Sequence, residues 1–140
     1  MDNRKNQEFL GVDVGGARVG IARGNTAAQL AEPVKTVSAD DAIEELAKLA
    51  ELNSAQGIVV GLPRGLGGED TAQTKAVRIW AQAAKTKLSV SFYWQDEALT
   101  TIVAHDQPAP KKDTVGEDAR AAAVLLQDFL DTPDDDRVAI

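Results

Sequence analysis

The sequence predicts an α/β domain in which three antiparallel strands come first, parallel strands follow, and helices cover the faces of one mixed sheet. Three observations predict this class. The 140 residues are 44% hydrophobic and 26% charged, which is typical of one globular domain. Short β-type runs precede and then alternate with segments of helical periodicity. The apolar run Gly57-Ile-Val-Val-Gly61 is typical of a central parallel strand that is buried on both faces.

The first half of the chain is predicted to form three strands and a helix. Residues 9–14 and 18–23 are two short strands joined by a glycine turn, and residues 32–37 are the third. Pro33 favours an edge position for that strand, because proline has no N–H to donate to a neighbour. A surface helix is predicted to start near Ser38, since apolar residues then recur at helical spacing opposite an acidic face.

The second half is predicted to add two parallel strands and three helices. The order is strand 57–61, a glycine-rich loop 64–68, helix 71–86 with Trp80 in the core, strand 90–94, a short helix 99–105, a loop 107–116 and an amphipathic helix 117–130. Residues 132–140 are acidic and contain a proline, so we expect a disordered tail after one domain that spans 1–131.

Composition limits the classes of function. The absence of cysteine excludes disulfides, thiolate zinc sites and a cysteine nucleophile. No apolar run approaches the ~18 residues of a membrane span, and the first residues are polar, so we expect a cytoplasmic protein without membrane contact. The net charge of −7 argues against nucleic acid, but many acids are concentrated in residues 40–51 and 128–136. The remaining surface therefore allows a nucleic-acid partner.

Asp13 is the first candidate functional residue. It places a carboxylate inside the apolar run of residues 9–22, where a charge must be compensated by a metal, a cation or hydrogen-bond donors. Gly15, Gly16 and Gly20 follow, and they permit a tight turn or a close approach of backbone. The alternative is a hairpin whose glycines serve the turn alone, with Asp13 bonded to backbone N–H groups.

Further acidic residues lie at the ends of predicted elements. Asp96 and Glu97 end the last strand, and Asp118 opens the final helix. Neighbouring strand residues point to opposite faces, so one of the pair, for which Glu97 is favoured, should join Asp13. Carboxylates without histidine or cysteine suit Mg²⁺ or Mn²⁺. The alternatives are a solvated strand end and, for Asp118, a match to the helix dipole. His105 is expected to have a surface or packing role.

Four motifs together resemble the YqgF family, also called RuvX. They are Asp13-Val-Gly-Gly-Ala-Arg-Val-Gly20, Val59-Val-Gly-Leu-Pro63 followed by Gly68, Asp96-Glu-Ala-Leu-Thr-Thr101, and the helix Glu117–Asp131. The resemblance spans residues 9–131 in the family's order. It implies an RNase H-like fold with a five-stranded mixed sheet, and a nuclease that matures precursor 16S rRNA or resolves Holliday junctions.

The resemblance also implies roles for individual residues. The family's catalytic, metal-binding acids fall on Asp13, Asp96, Glu97 and Asp118, of which Asp13, Glu97 and Asp118 are the expected catalytic set. The family's Gly-Leu-Pro turn falls on Gly61, Leu62 and Pro63, which are expected at the rim of the substrate groove. Further expected substrate contacts, from their own chemistry and position, are Arg18, Gly15, Lys111 and Lys112, and the alternative for the two lysines is a solvated loop. The family usually has arginine after its Asp-Glu pair, whereas this chain has Ala98. A bidentate phosphate contact would be lost there, which puts substrate affinity or activity in question.

We therefore expect a Mg²⁺- or Mn²⁺-dependent endonuclease that acts on structured RNA or branched DNA, as a monomer or homodimer. Ala98 and the acidic charge motivate an alternative, a non-catalytic RNA-binding or ribosome-assembly factor on the same fold. A third reading is a nucleotide-binding ATPase, since an Asp-x-Gly turn also occurs in the actin-like superfamily. That architecture closes two such domains around a nucleotide, and 140 residues provide one.

Overall fold

A computed structural model describes residues 6–96 and 116–140. Within these ranges six strands and three α-helices follow in the order β1 (Glu8–Val14), β2 (Arg18–Asn25), β3 (Leu30–Ser38), α1 (Ala42–Asn53), β4 (Gly57–Leu62), α2 (Ala72–Lys87), β5 (Ser91–Asp96), α3 (Glu117–Leu130) and β6 (Val138–Ala139). The predicted short helix 99–105 lies outside the described residues. The predicted loop 107–116 lies outside them too, except for Gly116. The other predicted strands and helices are present, with boundaries moved by a few residues.

The described strands form one sheet in the order β3-β2-β1-β4-β5-β6. β1, β2 and β3 are antiparallel neighbours, and β4 runs parallel to both β1 and β5. The predicted mixed α/β sheet is therefore confirmed, with six strands in place of five. The carboxyl ends of β1, β4 and β5 meet at one edge of the sheet, which we call the carboxyl edge.

Two apolar clusters cover the two faces of the sheet. Alternate β1 residues Leu10, Val12 and Val14 pack with α1 and α2 residues in the first cluster, which Trp80 joins as a partly buried side chain. Phe9 faces the other way and packs with Leu126 and Phe129 of α3 in the second. Because strand side chains alternate, every odd-numbered β1 position, including position 13, faces α3.

β3 is an edge strand in the described sheet, as Pro33 predicts. An irregularity in the pairing with β2 falls at this point, where Ile21 pairs with Lys35 and Ala22 with Pro33. Lys35 also lies 2.6 Å from the Glu45 carboxylate of α1. Its side-chain hydrogen bond holds the pKa of Glu45 below the ordinary value, with burial opposing that shift. The edge strand is thereby tied to the helix that covers it.

The start of α1 differs from the predicted cap. A short 3-10 turn at Ala39–Asp41 precedes the helix, and Ser38 makes no hydrogen bond to the helix backbone. Its hydroxyl donates to the Asp41 carboxylate at 3.0 Å instead. No helix in the described part of the chain is long and apolar enough to cross a membrane.

The C-terminal segment departs from the predicted disordered tail. A 3-10 turn at Asp134–Asp136 leads into β6, which pairs with Tyr93 and Trp94 of β5. Arg137 accounts for this, because its side chain is only 9% exposed and its guanidinium lies 4.4 Å from the Phe129 ring centre and 5.6 Å from that of Phe9. The acidic composition of residues 132–140 predicts disorder, because it does not show that Arg137 stacks on aromatic rings of the core.

Arg137→Ala is expected to lower the free energy of unfolding by about 1–2 kcal/mol and to release β6, because a desolvated cation–π contact is lost. Urea unfolding measures the first effect. Hydrogen exchange measures the second at the Ile140 amide, which donates to the Phe92 carbonyl at 2.9 Å. Asp134→Asn is the control, since it removes the ion pair with Arg137 and keeps the ring contacts. Unchanged exchange at Ile140 in Arg137→Ala would contradict this account.

Candidate active site

Asp13 is a buried carboxylate near the carboxyl end of β1. Its side chain belongs to the face of the sheet that α3 covers, and the residue is only 8% exposed. A charge at such a position needs compensation, and the structure gives Asp13 at least one polar interaction. The carboxylate thus lies in an apolar strand, where the sequence analysis placed it, and its catalytic role stays a prediction.

Gly20 links Asp13 to the final helix. In the antiparallel pairing of β1 and β2, Gly20 is the residue directly opposite Asp13. A Cβ added at Gly20 would overlap the backbone carbonyl of Asp118 in the first turn of α3. The helix start therefore rests directly on the β2 backbone beside Asp13. The structure thus brings Asp13 and Asp118 together across a residue that has no side chain.

The start of α3 is held in place by contacts to the edge strand. Gly116 precedes the helix with φ +89°, and the Ala119 N–H donates to the Thr36 hydroxyl of β3 at 3.3 Å. Further along the helix, the Gln127 amide oxygen accepts from the Ala31 N–H at 2.9 Å. These two bonds fix the helix on β3, and the contact at Gly20 fixes it on β2. The position of Asp118 is therefore set by two strands.

Arg18 pairs with Asp118. Its Nε lies 3.2 Å from Asp118 Oδ2, and the Arg18 side chain is 70% exposed while that of Asp118 is 22% exposed. The turn before it is closed by Gly15, whose N–H donates to the Arg18 carbonyl at 2.8 Å. Arg18 and Gly15, both predicted substrate contacts, thus lie at the same end of β1 as Asp13. Arg18 can reach a ligand because most of its side chain is in solvent.

The end of β4 lies next to Asp13. Val60 pairs with Val12 of β1, so the following residue, Gly61, is adjacent to Asp13 in the sheet. Gly61 and Leu62 are buried and Pro63 is half-buried, so of these three predicted substrate contacts only Pro63 offers exposed surface. The Pro63 carbonyl accepts from the Thr74 hydroxyl at 2.5 Å. Thr74 is a buried polar residue that our sequence analysis missed, although Thr71-x-x-Thr74 forms a capping box that could have revealed it.

Asp96 lies on the other side of the sheet. Phe92 and Trp94 belong to the first apolar cluster, and alternation along β5 places Asp96 on their side, away from α3. There its Oδ1 is 3.6 Å from Arg64 Nε. The structure does not bring Asp96 to the α3 face with Asp13. The predicted site residues Glu97, Lys111 and Lys112, together with Ala98 and His105, lie outside the described residues.

The donor set suits a divalent cation that prefers oxygen ligands. Asp13 and Asp118 supply carboxylates from a strand and a helix start that pack together, and neither Mg²⁺ nor Mn²⁺ requires nitrogen or sulfur ligands. Within residues 6–96 and 116–140, no three acidic, histidine or cysteine side chains lie close enough to hold a metal. A third protein ligand would therefore have to come from elsewhere in the chain.

Comparison with known proteins decides the family. A family model described as "RuvX: Holliday junction resolvase" matches residues 7–132. The chain belongs to the RuvX family. The resemblance predicted from the four motifs is therefore confirmed. The members of this family are nucleases, which hydrolyse phosphodiester bonds.

Curated relatives of this RuvX chain agree in length and name. "Putative pre-16S rRNA nuclease" of Chloroflexus aggregans is 33% identical over 135 residues, which cover 89% of this chain and 94% of the relative. The protein of the same name from Nitratidesulfovibrio vulgaris strain DP4 is 31% identical over 138 residues, covering 93% and 97%. The alignments therefore cover most of this chain and most of each relative.

A solved structure supports the RNase H-like fold predicted for this RuvX chain. "T. thermophilus RuvC in complex with Holliday junction substrate" superposes with a TM-score of 0.57 at 12% identity, over 96% of this chain and 99% of the other. At that identity the likeness shows the fold alone.

Proposed function

We propose that this chain is a metal-dependent endonuclease that processes the ends of precursor 16S rRNA. The observation that carries the proposal is the buried carboxylate of Asp13 placed beside Asp118 across Gly20. Family membership supports phosphodiester hydrolysis, and the names of the curated relatives support the choice of rRNA. The RuvC structure that binds a Holliday junction supports nucleic acid as the class of partner.

In this mechanism Asp13, Asp118 and Glu97 would hold Mg²⁺ or Mn²⁺. Asp96, the fourth predicted ligand, lies on the opposite face of the sheet beside Arg64 and would not join them. The chemistry that such an ion supplies when bound is activation of water and neutralisation of charge on the leaving oxygen. Asp13 contributes a carboxylate whose position is fixed by burial. Asp118 contributes one whose position is fixed by the packing of α3. Little reorganisation is needed to assemble the two.

Arg18 binds and orients the substrate. A guanidinium that is 70% exposed and already beside Asp118 can contact a phosphate oxygen next to the scissile bond. The half-buried residues Gly15 and Pro63 form the rim over which the nucleic acid passes, and the buried Gly61 and Leu62 support Pro63 from the end of β4. Lys111 and Lys112 are proposed to contact the phosphate backbone. None of these contacts reads base edges, so substrate choice would depend on shape.

The test is cleavage of end-labelled precursor 16S rRNA and of a labelled four-way DNA junction, with Mg²⁺, Mn²⁺ or EDTA. We expect metal-dependent cutting of the precursor at defined positions, and none in EDTA. Cleavage of the DNA junction alone would support a metal-dependent nuclease and contradict precursor 16S rRNA as its substrate. Metal-independent RNA binding without cutting would instead support the ribosome-assembly factor, the alternative motivated by Ala98.

A further inference from the structure

Leu66 is an apolar side chain displayed at the carboxyl edge of the sheet. It is 102% exposed, the highest value among the large hydrophobic residues of the described part of the chain. It lies in the connection from β4 to α2, and β4 is the direct neighbour of the strand that carries Asp13. Single exposed leucines are common on protein surfaces, so exposure alone does not distinguish it. Its setting does.

The turn that carries Leu66 is fixed by backbone hydrogen bonds. The Gly68 N–H donates to the Gly65 carbonyl at 2.9 Å, and the Gly65 N–H donates to the Glu69 carbonyl at 2.8 Å. Gly68 has φ +82°, a conformation that favours glycine. Leu66 thus occupies the second position of a closed β-turn. Because the backbone is already ordered, a ligand that contacts Leu66 has little conformational entropy to overcome.

Side-chain ion pairs brace the base of the same turn. Arg64 Nη1 lies 2.6 Å from Asp70 Oδ1, and Arg78 Nε lies 3.6 Å from the other oxygen of Asp70. Arg64 also reaches Asp96 at the end of β5, and Arg78 lies 5.6 Å from the centre of the Trp94 ring. The turn is therefore fastened to α2 and to β5. Arg64 of the turn and Arg78 of α2 are 28% and 40% exposed, so each can also meet a phosphate backbone while paired with Asp70.

We propose that Leu66 inserts beside a base of the bound nucleic acid and unstacks it near the scissile bond. Apolar wedges such as leucine separate bases in this way in other nucleic-acid complexes. The turn follows β4 and Asp13 lies near the end of the neighbouring β1, so a nucleic acid that lies across this carboxyl edge meets both, although the turn is braced from the opposite face. A base is the apolar part of that ligand that an exposed leucine can contact. The proposal rests on the proposed nuclease function.

The experiment measures base unstacking and affinity, with cleavage blocked. Asp13→Asn provides the non-cleaving parent, and 2-aminopurine replaces adenines around the cleavage site of a precursor rRNA fragment. We expect fluorescence to rise when the parent binds. Adding Leu66→Ala should abolish the rise and weaken binding about tenfold. Leu66→Phe should keep both. The control is Leu52→Ala, which removes a leucine that is 80% exposed on α1.

The outcomes separate this inference from the function on which it rests. Failure of the parent to bind RNA overturns the proposed function, and it does so before residue 66 is changed. If the parent binds RNA and Leu66→Ala binds with the same affinity and the same rise in fluorescence, the proposed role of Leu66 is wrong and the proposed nuclease function is unaffected. An equal loss in Leu52→Ala also overturns it, because the effect would then be general. Full exposure of Leu66 means that its truncation leaves the melting temperature unchanged.

Discussion

Asp13→Asn is expected to lower the rate of metal-dependent cleavage by about a thousandfold or more, with the fold intact. Loss of one anionic ligand to a catalytic cation removes several kcal/mol of transition-state stabilisation, and about 4 kcal/mol corresponds to a factor of 10³. Asparagine has nearly the shape of aspartate and carries no charge, so its burial in β1 is no more costly. The rate constant is measured at saturating Mn²⁺ on the precursor rRNA, and the fold by thermal unfolding.

The control is Asp40→Asn, which removes the same charge from an exposed position in the 3-10 turn before α1. Its cleavage rate should match that of the unmodified chain. Isothermal titration of Mn²⁺ adds a readout that is independent of catalysis, and Asp13→Asn should reduce the heat of binding. A variant that retained wild-type cleavage and metal binding would exclude Asp13 as a ligand and leave its carboxylate a purely structural group.

The sequence could predict the fold because its signals are local. The apolar run of β4, the helical stripe of α3 and the proline in β3 each follow from which residues suit one type of element. Asp13 stood out for the same reason, since a carboxylate in an apolar strand contradicts its surroundings. Alternation along β5 also indicated that Asp96 and Glu97 face opposite ways. Asp96 lies on the side of Arg64, and the role of Glu97 stays a prediction.

The features that the sequence could not predict depend on contacts between distant elements. In the sequence, Gly20 is one of three glycines that follow Asp13. Only the packing of α3 shows that the Gly20 backbone contacts the backbone of Asp118. Arg137 lies within an acidic segment, and its stacking on Phe129 depends on where α3 ends relative to β6. Arg64 pairs with residues six and 32 positions later. Such partners are chosen by tertiary structure, which local propensity does not encode.

Gly20→Ala is expected to damage both stability and catalysis, although residue 20 contributes no side chain to the site. The new Cβ would overlap the Asp118 carbonyl, so β2 and α3 must move apart. Overpacking of this kind costs about 3 kcal/mol. A shift of about 1 Å in a catalytic group can lower a rate about a hundredfold, and here the group is Asp118 relative to Asp13. Urea unfolding and the cleavage rate at saturating metal measure the two effects.

Gly16→Ala provides the matched control, because a Cβ added there meets no atom within 4 Å. It should leave the unfolding free energy within about 0.5 kcal/mol of the original. The comparison also separates positioning from simple loss of fold. If Gly20→Ala acts by displacing Asp118, then Mn²⁺ binding must weaken in the fraction of protein that remains folded. Cleavage that falls only in proportion to the unfolded fraction would show that Gly20 serves packing alone, and that the approach of α3 to β2 does not set the distance between the two carboxylates.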